Sequence, residues 1–405
     1  TLWAEIRVVS PTVITGYRIT SGWARTNYTF FAIEFSQPIT EYGYEDRERI
    51  DYKGGWSKFS QYRNFPEMAG RKIAAYFKFN TAAESELTMK VALSATGQDG
   101  ALRNLRAETA GKSFETLASE ARDAWDKELA CIDVEGTYDQ KVMFYTSLYH
   151  SLVAPSLFCD AGEPLRYTTF SLWDTYRAMM PLYTILFPDR ENDVMNTFLD
   201  IFDKQGKLPV WHLMGCETDC MVGNPGICVA ADAITKGFDG FDVEKAYEAM
   251  KVSALRADRG QDLRMKYGYI PCDLFGESVA YDMEYAIADW ALAQVAKQLG
   301  KEDDYNLFIE RSKSYKRHFD PVTGFMRGVD SKGRFSEPFN PYEAGHRANE
   351  YCEGNAWQYT WLVPHDFEGL VECFEATGDF DSSIDGKKPG REVIARHLDE
   401  LFNAK

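Results

Sequence analysis

The sequence has no apolar run long enough to cross a bilayer and no cluster of lysines and arginines. A transmembrane helix needs about 18 or more consecutive apolar residues, and no such run occurs among the 405 residues. The chain carries 62 acidic and 45 basic residues and a formal net charge of −17. Nucleic acids and anionic lipids are bound through basic surfaces. We therefore expect neither a nucleic-acid partner nor a membrane-spanning segment.

The sequence also lacks the paired cysteine and histidine motifs that are typical of zinc sites. Cys216 and Cys220 are four positions apart, but no CxxC or HxxxH motif accompanies them, so a structural zinc site is only the minor alternative for this pair. The 8 cysteines are scattered between residues 131 and 373, unlike the dense disulfide framework of a small secreted domain. We interpret them mostly as buried thiols.

The N-terminal region has the period of β-strands. A chain of 405 residues exceeds the size at which one hydrophobic core stops growing, so two domains are expected. Up to about residue 95, short segments rich in β-branched and aromatic residues alternate with a period of two, for example NYTFFAIEFS and KIAAYFKFN. This pattern predicts an antiparallel β-sandwich. Together with a linker, we place this domain at residues 1–114.

From about residue 115 the apolar positions repeat with the period of a helix. One stripe holds Val142, Tyr145, Tyr149 and Leu152. Further stripes are Val194, Phe198 and Phe202, which Gly206 would end; Val243, Tyr247 and Met250; Val279, Met283, Ala286 and Trp290; and Ile394, Leu398 and Leu401. We predict at least seven helices and an all-α domain over residues 115–405. A closed ring of helix pairs is one possible arrangement, but the periodicity does not decide it.

Four stretches interrupt the helical pattern, and each places aromatic side chains near carboxylates or amides. They are SLWDTYR (171–177), LPVWHLMGCETDCMVGNPG (208–226), YGYIPCD (267–273) and EGNAWQYTW (353–361). Sugars present apolar C–H faces and rings of hydroxyl groups, which suit flat aromatic rings and planar hydrogen-bonding groups. The composition of these stretches therefore indicates a carbohydrate ligand.

Glu353 is the only charged residue between Tyr351 and His365, and aromatic and amide side chains surround it in the sequence. We expect such surroundings to desolvate the carboxylate and keep it protonated near neutral pH, as a general acid requires. The alternative is that Glu353 caps a helix beginning near Asn355, or satisfies a backbone amide.

Asp174 also has two interpretations. It is suited to binding a ligand, but it equally fits the first turn of a helix, where it would favour the helix dipole or pair with Arg177. Taken singly, Trp173, Trp211 and Trp357 fit a hydrophobic core as well as a ligand platform. Glu217 fits a solvated loop equally well.

Taken together, these stretches resemble glycoside hydrolase family 92, the calcium-dependent exo-acting α-mannosidases. A weaker match, TGYRITSGWA (15–24), precedes the main ones. The main matching segments follow the family order and cover most of the chain beyond residue 130: SLWDTYRAMMPLYTILFP (171–188), GKLPVWHLMGCETDCMVG (206–223), VAADAITKGFDGFDVEKAYEAM (229–250), the run from 277 to 328, and EGNAWQYTWLVPHD (353–366). Several long motifs in one order are a far more specific signal than any isolated pattern.

The resemblance implies an N-terminal β-sandwich packed on an (α/α)6 barrel, with the active site between them, and hydrolysis with inversion at the anomeric carbon. Glu353 matches the glutamate of the family's EGN motif, which acts as general acid. Asp174 matches the aspartate of its WDT motif, which binds mannose hydroxyls in the −1 subsite. Substrate-binding roles are further implied for Trp173, Glu217 and Trp357.

The resemblance also implies segments that this sequence does not contain. Family members continue past the final LFNAK, with a GNDD-like segment that supplies the catalytic base and an NEP-like segment that supplies ligands for Ca²⁺. We therefore expect the chain to be the middle of a longer protein, incomplete in both sandwich and barrel, with the metal ligands lying beyond Lys405. The implied glycan substrate suggests a secreted, periplasmic or cell-surface location.

Two alternatives stay open at this point. Another (α/α)6-barrel glycosidase or a phosphorylase would share the fold, because a fold does not determine the chemistry. A non-catalytic glycan-binding fragment would share the aromatic and amide composition without the second carboxylate that inverting hydrolysis requires.

Overall fold

The computed structural model describes residues 1–47, 51–52, 56–57, 61–64, 67–82, 85–345, 349–376 and 389–403. The chain forms two compact units. The first comprises residues 1–170 and 212–218, and the second comprises residues 171–211 and 219–405. From the change in apolar periodicity we predicted a domain boundary at residue 114, and these two units divide at other positions.

The N-terminal part of the first unit consists of antiparallel strands. One sheet has the strand order β10-β3-β2-β1-β8, another has the order β7-β4-β9, and β5 pairs with β6. The prediction of an antiparallel β domain is confirmed. The strands are β1 (Trp3–Val8), β2 (Val13–Thr20), β3 (Asn27–Phe35), β4 (Ile39–Asp46), β5 (Asp51–Tyr52), β6 (Trp56–Ser57), β7 (Gln61–Arg63), β8 (Glu67–Gly70), β9 (Ile73–Phe79) and β10 (Met89–Ser94).

Strand β3 buries side chains on both of its faces. The ring of Phe35 lies 6.0 Å from that of Phe77 and 4.9 Å from that of Phe79, which links β3 to β9 of the other sheet. On the opposite face, Ala32 is fully buried in a cluster with residues of helix α1 (Gln98–Thr109). Because α1 covers the sheet, it groups with the strands although its own sequence is helical.

Helices make up most of the remaining described chain. The elements are α2 (Phe114–Leu129), α3 (Tyr138–Leu152), β11 (Ser156–Leu157), β12 (Tyr167–Thr168), α4 (Leu172–Thr175), α5 (Met179–Leu186), α6 (Pro188–Gln205), β13 (His212–Leu213), β14 (Cys216–Glu217), α7 (Pro225–Thr235), α8 (Val243–Leu255), α9 (Gln261–Tyr267), α10 (Ser278–Gln298), α11 (Glu302–Arg311), β15 (Phe319–Asp320), β16 (Phe325–Met326), α12 (Ala356–Tyr359), α13 (Phe367–Glu375) and α14 (Pro389–Asn403). A 3-10 turn spans Ser314–Arg317.

Each predicted apolar stripe lies on a helix, namely α3, α6, α8, α10 or α14. Gly206 ends α6 with a φ of 73°, the left-handed conformation that glycine supplies at a helix end. The stripe on α3 is not a core stripe, because Val142 and Tyr149 are 45% and 41% exposed. The helical region is confirmed, whereas its closure into an (α/α)6 barrel stays a prediction. None of the helices in the described ranges is long and apolar enough to cross a membrane.

The eight cysteines are thiols outside any disulfide, but few of them are buried. Cys352 is buried, Cys131 is exposed, and the other six are of intermediate exposure. The interpretation of the cysteines as mostly buried thiols was therefore wrong. The described residues contain no group of three or more His, Cys, Asp or Glu side chains that would hold a metal ion, and the zinc alternative for Cys216 and Cys220 stays untested.

Helix α10 is buried on almost all sides in the second unit. Most of its 21 residues are buried, and it packs against α7, α8 and α11. A helix in such a position is expected to be apolar all round. Helix α10 nevertheless buries three carboxylates, those of Asp282, Glu284 and Asp289, so each of them needs a partner.

Two of these carboxylates share one arginine. Arg264 places Nε 2.5 Å from Asp282 and Nη1 2.5 Å from Asp289. His318 Nε2 lies 2.8 Å from Asp282, and Arg311 Nε lies 2.9 Å from Asp289. Burial acts to raise the pKa of Asp282, but Arg264 and His318 outweigh it and lower that pKa to about 2. The charges are thus held inside the unit as a paired network.

Glu191 is a buried carboxylate without such partners. It lies in the first turn of α6 with 0% exposure, and within the described residues neither of its carboxylate oxygens has a hydrogen-bond partner. Burial raises its pKa to about 8, repulsion from Asp232 adds to the rise, and Lys236 opposes it. Glu191 is therefore held in the neutral form at neutral pH.

We predict that Glu191 makes the protein less stable as the pH rises. Its pKa is 4.5 in an unperturbed side chain and about 8 in the fold, so between these values only the folded state holds the proton. The unfolding free energy should fall through this window by at most about 1.4 kcal/mol per pH unit and level off above it. Glu191→Gln removes the titration, so the thermal midpoint of the variant should rise relative to wild type from pH 5 to pH 8.

Asp189→Asn is the matched control, because Asp189 is an exposed carboxylate in the same helical turn. Its midpoint should run parallel to that of the wild type. A parallel curve for Glu191→Gln as well would show that Glu191 does not titrate in this way.

Candidate active site

A pocket in the second unit brings together two of the stretches that the sequence singled out. Its volume is about 350 Å³, within the range of small-molecule sites. Trp173 and Arg177 come from SLWDTYR, and several side chains come from the EGNAWQYTW stretch. The lining residues are Trp173, Arg177, Glu284, Cys352, Glu353, Gly354, Gln358, Tyr359 and Leu362.

Glu353 lines this pocket, but it is exposed, whereas its neighbours Cys352 and Gly354 are buried. Its backbone has a φ of 49°, an uncommon conformation for a residue with a Cβ. Within the described residues its carboxylate has no hydrogen-bond or ion-pair partner. The expectation that aromatic neighbours desolvate this side chain was therefore wrong.

The tryptophans near Glu353 pack away from it, into the core of the second unit. The ring of Trp357 lies 4.8 Å from that of Phe325, and the ring of Trp361 stacks on Phe374 at 5.9 Å. Trp357 does not line the pocket, and its indole Nε1 has no hydrogen-bond partner among the described residues. These tryptophans occur in this stretch because they pack in the core, and they do not form an apolar environment around Glu353.

The alternative reading of Glu353 as a helix cap is also wrong. Asn355 caps α12: its side chain accepts a hydrogen bond from Gln358 N at 3.3 Å, and the Gln358 side chain accepts one from Asn355 N at 3.1 Å. The Tyr359 hydroxyl donates to the carbonyl of Cys352 at 2.6 Å and holds the preceding turn. This local framework leaves the Glu353 carboxylate free at the pocket.

Trp173 and Asp174 lie in α4, yet only Trp173 lines the pocket. Asp174 is exposed and accepts a hydrogen bond from Ser171 Oγ. Arg177 does not pair with it, as the sequence had suggested, but with Glu284 of α10. The structure therefore brings Trp173, Arg177 and Glu353 to one pocket and leaves Asp174 beside it.

Glu284 is the pocket residue that sequence reasoning missed. Its side chain is 3% exposed and accepts hydrogen bonds from Trp173 Nε1 at 3.2 Å, from the Tyr176 hydroxyl at 2.8 Å, and from Arg177 Nη2. Burial raises the pKa of Glu284, and Arg177 acts against that rise. The sequence did contain a signal for Glu284. It lies among mostly apolar residues of a predicted helix, and a buried glutamate needs a hydrogen-bond or ion-pair partner.

Gly223 packs directly against Glu284. Its φ is 77°, and a Cβ there would lie 2.6 Å from the Cβ of Glu284, too close for a carbon atom. The carbonyl of Gly223 accepts a hydrogen bond from Arg259 Nη1 at 2.9 Å. The loop before α7 is therefore shaped to admit the glutamate side chain.

Glu217 belongs to the other compact unit. It lies in β14, where it pairs with His212 in a two-stranded hairpin, and it is partly exposed. Its predicted substrate-binding role, like those of Asp174, Trp173 and Trp357, stays a prediction.

The side chains of the described residues do not form a calcium centre. Calcium takes about six to eight oxygen ligands, usually several carboxylates among them. In the described part of the chain no cluster of three or more acidic, cysteine or histidine side chains would hold a metal. In the pocket, Glu284 accepts hydrogen bonds from three donors and the Gln358 side-chain oxygen accepts one from Asn355 N, which leaves Glu353 as the carboxylate without a partner among the described residues.

A free carboxylate beside a tryptophan, an arginine and an amide defines a candidate glycoside hydrolase site. The sequence model of the glycosyl hydrolase family 92 catalytic domain matches residues 100–393. That of the glycosyl hydrolase family 92 N-terminal domain matches residues 1–94. The chain belongs to glycosyl hydrolase family 92.

Solved structures of this family are similar over most or all of the chain. The family GH92 α-mannosidase BT3965 from Bacteroides thetaiotaomicron is 35% identical, with a TM-score of 0.87, over 100% of this chain and 54% of its own. Another structure of BT3965 is a complex with mannoimidazole. The family GH92 inverting mannosidase BT2199 from Bacteroides thetaiotaomicron VPI-5482 is 29% identical, with a TM-score of 0.83, over 92% of this chain and 52% of its own.

A curated relative from Arthroderma benhamiae, an uncharacterized secreted glycosidase, is 24% identical over 358 residues, which are 78% of this chain and 44% of that protein. The chain thus spans about half the length of the relatives it matches.

We predict that Gly223→Ala destabilises the second unit by about 2 to 4 kcal/mol, because a Cβ at positive φ is strained and overlap with Glu284 adds to that strain. Urea unfolding followed by tryptophan fluorescence measures the loss. The control is Gly237→Ala, since Gly237 has a similar φ of 85° but no atom within 4 Å of the added Cβ. Its loss should be about 1 kcal/mol, and equal losses for the two variants would contradict the packing argument.

Proposed function

We propose that this chain is part of an exo-α-mannosidase that removes terminal mannose from glycans by inverting hydrolysis, with Glu353 as the general acid. The observation that carries the proposal is the free carboxylate of Glu353 at a pocket shared with Trp173 and Arg177, in a chain of family 92. The similarity to a mannosidase whose structure contains mannoimidazole supports mannose as the sugar.

The exposure of Glu353 suits a general acid that meets its substrate at the mouth of a pocket. A bound glycan would cover the carboxylate and exclude water from it, and desolvation favours the protonated form of a carboxylic acid. In this mechanism the substrate, rather than the neighbouring tryptophans, supplies the apolar surroundings. The proton then passes from Glu353 to the departing glycosidic oxygen.

Inverting hydrolysis needs a second carboxylate, which activates water on the opposite face of the ring about 6.5 to 9.5 Å from the acid. Glu284 is the other carboxylate lining the pocket, but it is buried and accepts three hydrogen bonds. It is therefore poorly suited to take a proton from water. We assign the base to a part of the protein outside the residues that line this pocket.

The remaining sugar contacts follow from the family resemblance and the position of each side chain. Trp173 presents an aromatic ring to the pocket, and the exposed carboxylate of Asp174 is available to sugar hydroxyl groups. Glu217 and Trp357 are proposed as substrate-binding residues on the resemblance alone. The substrate class is a mannose-containing glycan, and the similarity to a secreted glycosidase supports a location outside the cytoplasm.

We predict that Glu353→Gln in the full-length protein lowers hydrolysis of an α-mannoside with a poor leaving group by roughly 10²- to 10⁴-fold, the usual effect of lost acid catalysis. An aryl α-mannoside with an activated leaving group should lose much less, because its oxygen departs without a proton. Initial rates on the two substrates measure the difference. For the wild type, proton NMR should show β-mannose as the first product.

Glu343→Gln is the control, since Glu343 is an exposed carboxylate on the loop that precedes this stretch and does not line the pocket. It should leave both rates unchanged. Equal losses on the two substrates for Glu353→Gln would assign a structural role to Glu353, and α-mannose as first product would overturn inversion.

We further propose that the activity depends on Ca²⁺, with ligands outside the described residues. Removing the ion with EGTA should abolish hydrolysis by the full-length protein. Adding CaCl₂ should restore it better than adding MgCl₂, because sites built for calcium offer more and longer oxygen contacts than magnesium accepts. Full activity after exhaustive chelation would overturn the calcium requirement and leave the roles assigned to Glu353 and Trp173 intact.

A further inference from the structure

The buried carboxylate of Glu284 accepts hydrogen bonds from three side chains of one segment beside the pocket. Glu284 Oε1 accepts hydrogen bonds from Trp173 Nε1 and Arg177 Nη2, and its Oε2 accepts one from the Tyr176 hydroxyl. Two of these donors, Trp173 and Arg177, line the pocket. The orientation of both side chains therefore depends on a group that solvent hardly reaches.

Arg177 has the chemistry of a hydroxyl-binding residue. Its guanidinium lies over the ring of Tyr176 at 4.6 Å and over the ring of Trp173 at 6.0 Å. A guanidinium has five N–H donors in a rigid plane, and Glu284 is its side-chain hydrogen-bond partner among the described residues. Its side chain is 39% exposed. The donors not engaged by Glu284 are thus available to a ligand in the pocket.

We propose that Arg177 is a substrate-binding residue that donates hydrogen bonds to hydroxyl groups of the sugar in this pocket, and that Glu284 is the positioning residue that fixes Arg177 and Trp173 for that contact. The inference rests on the proposed glycosidase function and extends it to two residues to which the resemblance assigned no role. A neutral polyol fits this arrangement because one arginine charge is already balanced by Glu284.

The burial and close packing of Glu284 suit it to orient Arg177. Its side chain is 3% exposed, and Gly223 packs closely against it, since a Cβ on Gly223 would lie 2.6 Å from the Cβ of Glu284. Removing one partner of a buried ion pair leaves the other without compensation. Three hydrogen bonds and close packing thus fix the position of the Glu284 carboxylate in this structure, and Arg177 is oriented by its ion pair with it.

The test uses Glu284→Gln, Arg177→Gln and the double variant in the full-length protein, with an aryl α-mannoside whose leaving group needs no proton from Glu353. Each single change should raise KM roughly 10- to 100-fold, the effect of one charge-assisted hydrogen bond, with a much smaller change in kcat. The double variant should be no worse than Arg177→Gln, because both changes remove the same contact.

A second measurement separates ligand binding from a purely structural role. Aryl mannosides lacking one ring hydroxyl should show a raised KM with the wild type when the missing hydroxyl is the one that Arg177 binds. With Arg177→Gln that penalty should vanish, because the contact is already lost. Arg177→Lys, which retains the ion pair but not the planar donors, should remain folded and show the same loss of discrimination.

Arg190→Gln is the matched control. The guanidinium of Arg190 also lies over aromatic rings, those of Phe187 and Tyr183, but Arg190 does not line the pocket. It should leave KM and hydroxyl discrimination unchanged. Thermal midpoints of all variants report any loss of folding independently of activity.

The outcomes separate the two proposals. If the wild type hydrolyses α-mannosides and the variants keep its KM and its hydroxyl discrimination, the roles of Arg177 and Glu284 are overturned. The mannosidase assignment then still stands. Lowered thermal midpoints with unchanged KM would likewise reduce Glu284 to a structural residue. A full-length wild type inactive on every α-mannoside would overturn the proposed function and this inference with it.

Discussion

Buried negative charge on helix α10 is the constraint on which the second unit depends. Asp282, Glu284 and Asp289 lie within a helix that is mostly apolar and mostly buried. A carboxylate in such surroundings is strongly unfavourable unless cations and hydrogen-bond donors surround it. The partners come from segments before and after the helix, Arg177 and Arg264 among them. Pairing these charges therefore determines how those segments dock on α10, in addition to the burial of apolar surface.

The same constraint separates two kinds of glutamate at the pocket. Glu284 is buried and accepts three hydrogen bonds, which suits a residue that orients others. Glu353 is exposed and has no partner within the described residues, which suits a group that exchanges a proton with a ligand. Two carboxylates in one pocket thus have different chemistry because their surroundings differ. Hydrogen bonds made by Asn355 and Tyr359 hold the segments on either side of Glu353 and leave its side chain free.

Much of the fold was predictable because it depends on local periodicity. The alternation in β3 and the stripes on α6, α8 and α10 mark elements whose faces are buried, and burial of a face imposes its period on the sequence. The pairing of Trp173 with Glu353 in one site was predicted only through motif resemblance, since 180 positions separate them in the sequence. Helix α1 is helical by sequence yet packs on the strands, which agrees with its place in the predicted 1–114 domain, and the boundary at residue 114 stays a prediction.

The sequence by itself determined the kind of elements, the family and the carboxylate proposed as acid, because residue type, spacing and motif order are written along the chain. Only the tertiary structure decided which neighbours each side chain meets. Trp357 and Trp361 were close to Glu353 in sequence but turn into the core, and Arg177 pairs with Glu284 rather than with the nearer Asp174. The physical reason is that solvation and ion pairing act through space, so proximity along the chain does not reveal which groups share a dielectric environment.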